Sequence, residues 1–125
     1  MNVFIVEDAA PARQELVELV TELPGFKVVG QAASVQEAIE GIEKTGPEAV
    51  TLDISLPDGS GVEVLKHIRR CGANIFIVVL TGNPYDSLRA TCRRLGAAAV
   101  LDKFNGLTQA AEVLLAGQRP NPESC

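Results

Sequence analysis

The sequence predicts an α/β domain in which a parallel sheet carries helices on both faces. Short β-rich apolar runs alternate with stretches whose apolar residues recur at helical spacing. The alternation is strict, in the order βαβαβαβαβα, and the connections are short, which implies parallel strands joined by crossover helices. The run Ile75 to Leu80 is apolar throughout, as in a strand buried on both sides.

Each element has its own signal. Val3 to Val6 is the first strand. From Ala10 to Leu23, the residues Leu16, Val17, Leu19, Val20 and Leu23 mark a helix that Pro24-Gly25 ends. Phe26 to Ala32 is the second strand. Ser34 followed by Glu37 is a capping-box pattern, opening a helix through Ala38, Ile39 and Ile42 that closes at Thr45-Gly46-Pro47. Ala49 to Asp53 is the third strand, and Leu56 to Gly61 is a turn. Val62, Leu65 and Ile68 mark one face of a third helix ending near Cys71-Gly72. After the fourth strand, Asn83 and Pro84 suit the N-cap and first position of a fourth helix that stops at Gly96. Ala97 to Leu101 is a fifth strand, weak in propensity because it is alanine-rich. Leu107 to Ala116 is a fifth helix. Residues 118–125 hold two prolines and no apolar face, so they are expected to be a tail or the start of a linker, leaving 1–117 as one domain.

Composition narrows the function classes. The chain has 125 residues, 46% hydrophobic and 22% charged, which suits one globular domain. No run of about 18 apolar residues occurs, so no membrane span is expected. Glu7 and Asp8 interrupt the first apolar run too early for a signal peptide. Cys71, Cys92 and Cys125 are odd in number and lack C-x-x-C spacing, which fits reduced thiols in a cytoplasmic protein. The net charge of −5 disfavours general nucleic-acid binding. The charge is uneven: residues 1–62 hold eleven acids against three Lys/Arg, and residues 63–125 hold five against eight. The basic half is either an ordinary solvated surface or a docking patch for an acidic partner.

In open α/β sheets, ligands sit outside the carboxyl ends of the strands. Those ends carry Glu7 and Asp8 after strand 1, Asp53 after strand 3, Thr81 with Gly82 after strand 4, and Lys103 after strand 5. Three carboxylates in one pocket repel. A like pair at about 4 Å costs roughly 1 kcal/mol in water and about 4 kcal/mol at the effective dielectric of a protein surface. A hard divalent cation offsets this, since Mg²⁺ takes a few carboxylates, keeps waters and accepts phosphate oxygens. Carboxylates also serve as nucleophiles for phosphoryl groups, a transfer that needs positioning and charge neutralisation more than acid–base help. The single histidine, His67, falls inside the third helix and is expected on the surface, away from these ends.

Over about residues 2–116 these features resemble the receiver domains of two-component response regulators. Val6-Glu7-Asp8 resembles the acidic pair that holds the metal. Asp53, in Thr-Leu-Asp-Ile-Ser-Leu-Pro-Asp-Gly-Ser-Gly, resembles the phospho-accepting aspartate. Ser55 stands where the family coordinates the metal through a backbone carbonyl, and Pro57 and Gly59 match the turn that follows. Thr81 with Gly82 resembles the switch threonine and its small neighbour, and Lys103 the strand-5 lysine. The resemblance implies a flavodoxin-like strand order 2-1-3-4-5, a Mg²⁺ (or Mn²⁺) cofactor, and a histidine kinase or histidine phosphotransfer protein as phosphodonor. It further implies self-phosphorylation and autodephosphorylation without turnover of an external substrate. Readout would pass through helix 4, strand 5 and helix 5 to an output domain or target protein, with a phosphorylation-linked dimer also in the family's range; neither nucleic acid nor membrane is expected to contact this chain directly.

Two positions depart from the pattern. Val100 stands where the family usually has a rotating Tyr or Phe, and Phe104 follows Lys103 where many relatives have proline, often after a cis peptide. Phe104 or Tyr85 is the substitute expected for the missing aromatic. Asn83, beside the site, is expected to tune phosphate lifetime together with Ser55, Val100 and Phe104. Arg89, Arg93 and Arg94 on the fourth helix either solubilise it or meet a partner. Two rivals stay open. One is a hydrolase with an aspartyl nucleophile, similar to haloacid-dehalogenase-type phosphatases, although D-x-D after strand 1 is missing. The other is a pseudo-receiver that acts only as an interaction module.

Overall fold

The computed structural model describes residues 1–118. Its elements are β1 (Asn2–Val6), α1 (Ala10–Glu22), β2 (Lys27–Ala32), α2 (Val35–Thr45), β3 (Ala49–Asp53), β4 (Ser55–Leu56), β5 (Gly59–Ser60), α3 (Gly61–Arg70), β6 (Phe76–Thr81), α4 (Asp86–Arg94), β7 (Ala99–Asp102) and α5 (Leu107–Gly117). The main sheet has five parallel strands in the order β2-β1-β3-β6-β7. With the small β4–β5 hairpin set aside, this is the expected 2-1-3-4-5 order.

Period-two alternation sends successive side chains of each central strand to opposite faces. Phe4, Val6, Val50, Leu52, Ile77 and Val79 join α2, α3 and α4 in one core. Val3, Ile5, Ala49, Val78 and Leu80 join α1 and α5 in the other. Both faces are therefore dry, which is why these strands read as continuous apolar runs. On α5, Ala110 and Leu114 are fully buried. Burying a leucine of this kind contributes about 1.5–3 kcal/mol.

Local chemistry sets the helix ends, and several differ from the sequence expectation. Ser34 caps α2 by accepting the Glu37 N–H at 3.2 Å, but the Glu37 carboxylate accepts the Ala33 N–H rather than that of Ser34. Asp58, in the β4–β5 turn, supplies further caps by accepting the N–H groups of Val35 at 2.7 Å and Gln36 at 3.1 Å. A complete capping box sits instead at α3, between Ser60 and Glu63. The expected turn at Leu56–Gly61 thus contains a hairpin and a helix start. Gly46 ends α2 at φ 55°, the left-handed conformation that glycine adopts without a Cβ penalty.

The fourth helix starts later than expected. Tyr85 is its N-cap, because the Asn83 carbonyl is taken by the Tyr85 N–H at 2.9 Å, so Asn83-Pro84 forms a turn ahead of the helix. The fifth strand begins at Ala99 rather than Ala97. The expected tail falls outside the described residues apart from Gln118, whose amide N–H bonds the Pro24 carbonyl at 3.4 Å. Every peptide bond among the described residues is trans, Lys103–Phe104 included. Among them, no helix is long and apolar enough to cross a membrane.

Candidate functional site

Parallel strands end on one edge, and that edge gathers Glu7, Asp8, Asp53, Thr81 and Lys103. Glu7 follows β1, with its N–H bonded to the Ala32 carbonyl of β2 at 3.0 Å. Asp53 closes β3 opposite Leu80, and Thr81 closes β6 opposite Asp102. The Lys103 N–H extends the β6–β7 ladder by donating to the Thr81 carbonyl at 3.0 Å. The sheet ladder alone therefore brings residues about fifty positions apart into one pocket.

Glu7 and Asp53 are each only 2% exposed, whereas Asp8 lies on the surface. The Lys103 ammonium stands 3.2 Å from a Glu7 oxygen and 3.2 Å from Asp53 Oδ2. The other Asp53 oxygen, Oδ1, accepts the Ser55 N–H at 3.1 Å. Both oxygens of Asp53 are thus oriented. Arg13 braces the entrance by donating to the Glu7 carbonyl at 2.9 Å and to the Gln31 side-chain oxygen at 3.0 Å. Burial, with the neighbouring Asp53 charge, pushes the Glu7 carboxyl up to about 7, and the Ala9 N–H works against that rise. Burial also opposes the Lys103 charge, but Asp53 and Glu7 outweigh it and hold the ammonium above the ordinary lysine range.

The donor set suits a hard divalent cation. Glu7, Asp8 and Asp53 each offer a carboxylate oxygen, and these lie within 4.8 Å of one another. One ammonium against three carboxylates leaves excess negative charge in a largely buried space, and all three ligand atoms are oxygen, as Mg²⁺ prefers.

Thr81 is 3% exposed, and its hydroxyl receives the Asn83 N–H at 3.4 Å. A Cβ on Gly82 would come within 3.0 Å of the Phe104 ring, so only a glycine leaves that ring in place. Phe104 is 75% exposed and its ring centre lies 5.9 Å from the Lys103 ammonium, within cation–π range. Val100 is buried in the core with α4. Arg89 is not a free surface arginine. Its guanidinium donates to the Pro84 carbonyl at 3.1 Å and, by a second N–H at 2.6 Å, to the Val100 carbonyl.

Two features of the site escaped sequence reading. Gly61, at the start of α3, lies so close to β3 that a Cβ there would stand 2.3 Å from the Asp53 carbonyl oxygen. Its neighbours Ser60 and Glu63 do fit the S-x-x-E capping signature, a signal that could have located this helix start. Arg13 carries no local signal, because its partners come from β1 and β2. His67 is about a quarter exposed and pairs with Glu43 at 2.8 Å, far from the strand ends.

A doubly wound sheet with a carboxylate–lysine cluster at the carboxyl edge of its central strands defines the class, the flavodoxin-like α/β domains that bind or accept phosphoryl groups at that edge. Within that class the chain belongs to the response regulator receiver domain family, whose model it matches over residues 3–114. Receiver domains are signal-transduction modules of two-component systems; they bind Mg²⁺ at an acidic pocket and are generally not enzymes in their own right. The chain is 29% identical over 122 residues to the response regulator GacA of Pseudomonas viridiflava, covering 95% of this chain and 57% of that protein. It is 32% identical over 96 residues to the chemotaxis protein CheY of Thermotoga maritima, covering 77% and 79%. The crystal structure of the response regulator domain of Thermotoga maritima CheB superposes with a TM-score of 0.81 at 27% identity, covering 94% of this chain and 92% of that one. The chain thus spans little more than half the length of the GacA relative.

Proposed function

We propose that the chain accepts a phosphoryl group on Asp53 from a histidine-phosphorylated partner, in a Mg²⁺-dependent reaction, and so switches a partner or output domain. The observation that carries this is the placement of Asp53, buried beside Glu7 with one oxygen 3.2 Å from the Lys103 ammonium. Glu7, Asp8, Asp53 and the Ser55 carbonyl would hold the cation, which supplies charge neutralisation for the phosphoryl oxygens. An Asp53 oxygen attacks phosphorus in line as the P–N bond to the donor imidazole breaks, and the imidazole leaves with the electron pair and takes up a proton. The Ser55 N–H fixes the carboxylate during attack. Lys103 follows the charge onto the phosphoryl group, and Thr81 offers it a hydroxyl.

Contacts from Thr81 and Lys103 to the phosphoryl group exist only in the modified state, so they bias a two-state equilibrium. Tyr85 and Phe104 are 54% and 75% exposed and so free to move, and one of these rings takes the part of the aromatic that Val100 replaces. Asn83, Val100 and Phe104 set the lifetime of the modified state. Residues 1–117 act as the receiver unit and residues 118–125 as a tail or the start of a linker, and the chain acts through α4, β7 and α5 on an output domain, a separate target or a second copy. The chain's own phosphorylation and autodephosphorylation are its only chemistry, and both take place in the cytoplasm.

The test is labelling by a small phosphodonor with Mg²⁺ present. The parent chain gains one acid-stable, base-labile phosphoryl group, and Asp53→Asn gains none. Undiminished labelling of Asp53→Asn removes Asp53 from the role. A parent chain that cannot be labelled leaves the interaction-module reading.

A further inference from the structure

A second constellation of ligand-type side chains lies on the outer surface where α2 packs beside α3. Glu43 projects from the last turns of α2. His67 and Cys71 are four residues apart at the end of α3, so they share one face of the helix. The His67 Nε2 atom lies 2.8 Å from Glu43 Oε1 and 3.6 Å from Cys71 Sγ. The three donor atoms all fall within 4.8 Å of one another.

Both partners of His67 face the same ring nitrogen. A catalytic relay would place thiol and carboxylate on opposite nitrogens, because one nitrogen passes the proton and the other is oriented by the acid. Convergence on a single nitrogen instead describes three donors arranged around a common point. We propose that Glu43, His67 and Cys71 form a metal site for a borderline divalent cation such as Zn²⁺, distinct from the oxygen-only pocket at Asp53.

Distances support the assignment. Tetrahedral zinc with Zn–N of about 2.0–2.1 Å and Zn–S of about 2.3 Å sets nitrogen and sulfur about 3.5 Å apart. The observed 3.6 Å meets this without movement of α3. The same geometry wants nitrogen and oxygen about 3.3 Å apart. Glu43 therefore draws back by about 0.5 Å, which its 59% exposed side chain permits. A cavity of about 350 Å³ adjoins the three residues, walled by Ile42, Pro47 and Ile75, and leaves room for water as fourth ligand. One imidazole, one thiolate and one carboxylate select zinc or cobalt over magnesium, which requires oxygen donors. Binding displaces the thiol proton of Cys71, and any proton on Nε2, to solvent.

The helices run back from the carboxyl edge of the sheet, so their C-terminal ends place this site at the opposite edge from Asp53. The metal would clasp α2 to α3, and the inference stands independently of the phosphoryl reading.

The experiment is a Co²⁺ titration of the full chain in millimolar Mg²⁺, which keeps the oxygen-only pocket filled. One equivalent of Co²⁺ gives tetrahedral d–d absorption and a near-ultraviolet sulfur-to-cobalt charge-transfer band, and Zn²⁺ bleaches both. Cys71→Ser loses the charge-transfer band, His67→Ala loses the tetrahedral spectrum, and Cys125→Ser keeps both. Zn²⁺ raises the thermal midpoint of the parent and not of Cys71→Ser, with far-ultraviolet dichroism checking that each variant is folded. The proposal is overturned by the lack of a charge-transfer band in the parent, by a band that survives Cys71→Ser, or by one that only Cys125→Ser removes.

Discussion

Gly61→Ala sets two effects of opposite sign against each other. In a helix, alanine is favoured over glycine by about 0.5–1 kcal/mol, so helix propensity alone predicts a more stable protein. The added Cβ, however, would stand 2.3 Å from the Asp53 carbonyl oxygen, 3.1 Å from the Asp53 carbonyl carbon and 3.0 Å from the Ile54 Cα. All three are backbone atoms, so no side chain can rotate away. Carbon and carbonyl oxygen need about 3.3 Å or more even in a favourable contact. The start of α3 and the end of β3 must then separate by about 1 Å, straining the 2.8 Å bond from the Gly61 N–H to the Ile54 carbonyl. Overpacking of this kind costs about 1–3 kcal/mol, which outweighs the propensity gain. The expected result is a net loss of about 1–2 kcal/mol, seen as a urea midpoint lower by about 1 M at an m-value of about 1–3 kcal/mol/M. Because the displaced atoms carry Asp53, the labelling rate also falls, by up to about a hundredfold for a 1 Å misplacement. Gly72→Ala is the control. Gly72 has φ 71° with nothing within 4 Å of its Cβ position, so that variant loses stability through backbone strain alone and labels at the parent rate. A Gly61→Ala protein with an unchanged or higher midpoint and a normal labelling rate refutes the steric reasoning.

Three further outcomes are expected. Thr51 is buried in β3 and, among the described residues, its hydroxyl has no hydrogen-bond partner; Thr51→Val should raise stability by about 1 kcal/mol in denaturant titration, and a loss of stability would show that the hydroxyl is satisfied. Arg89→Ala removes two hydrogen bonds that tie Pro84 and Val100 together, so stability should fall by about 1–2 kcal/mol and amide exchange should quicken around 84–86; unaltered exchange there would release Arg89 to the surface role. The Val35 and Gln36 N–H groups hold the Asp58 carboxyl below its ordinary value of 3.8. A lowered folded-state value means that the stabilisation is complete above the unfolded value and fades as pH drops through the folded one. The stability gap between parent and Asp58→Ala should therefore be constant above about pH 4 and narrow on further acidification; a gap that widens in acid would contradict the capping role.

Element type and sheet alternation were legible because they depend on near neighbours. The apolar runs at Val3–Val6, Ala49–Leu52, Ile75–Leu80 and Ala97–Leu101 place the strand-end residues of the pocket, since Glu7, Asp8, Asp53, Thr81 and Lys103 each stand within two positions of the end of such a run. Helix boundaries were legible where the cap is local, as at Gly46. The start of α2 was legible too, at Ser34, but the further cap that Asp58 supplies from a hairpin more than twenty positions away was not. Asn83-Pro84 looked like a helix start, and a local turn through the Asn83 carbonyl delays α4 to Asp86. The arginines of α4 could not be sorted by sequence, because only packing against β7 commits Arg89 inward.

By itself the sequence determined the kinds of element, their order and the residue types at the carboxyl edge, all of which follow from hydrophobic period and turn chemistry acting over a few residues. Tertiary structure alone decided how those residues meet: which oxygen of Asp53 faces Lys103, how closely Gly61 may approach β3, and that Gly30 and Gly41 flank the Phe4 ring, where a Cβ would fall 2.6 and 2.4 Å from it. These are distances between segments remote in the chain. They are set by close packing across the sheet, a property that no local stretch of residues possesses.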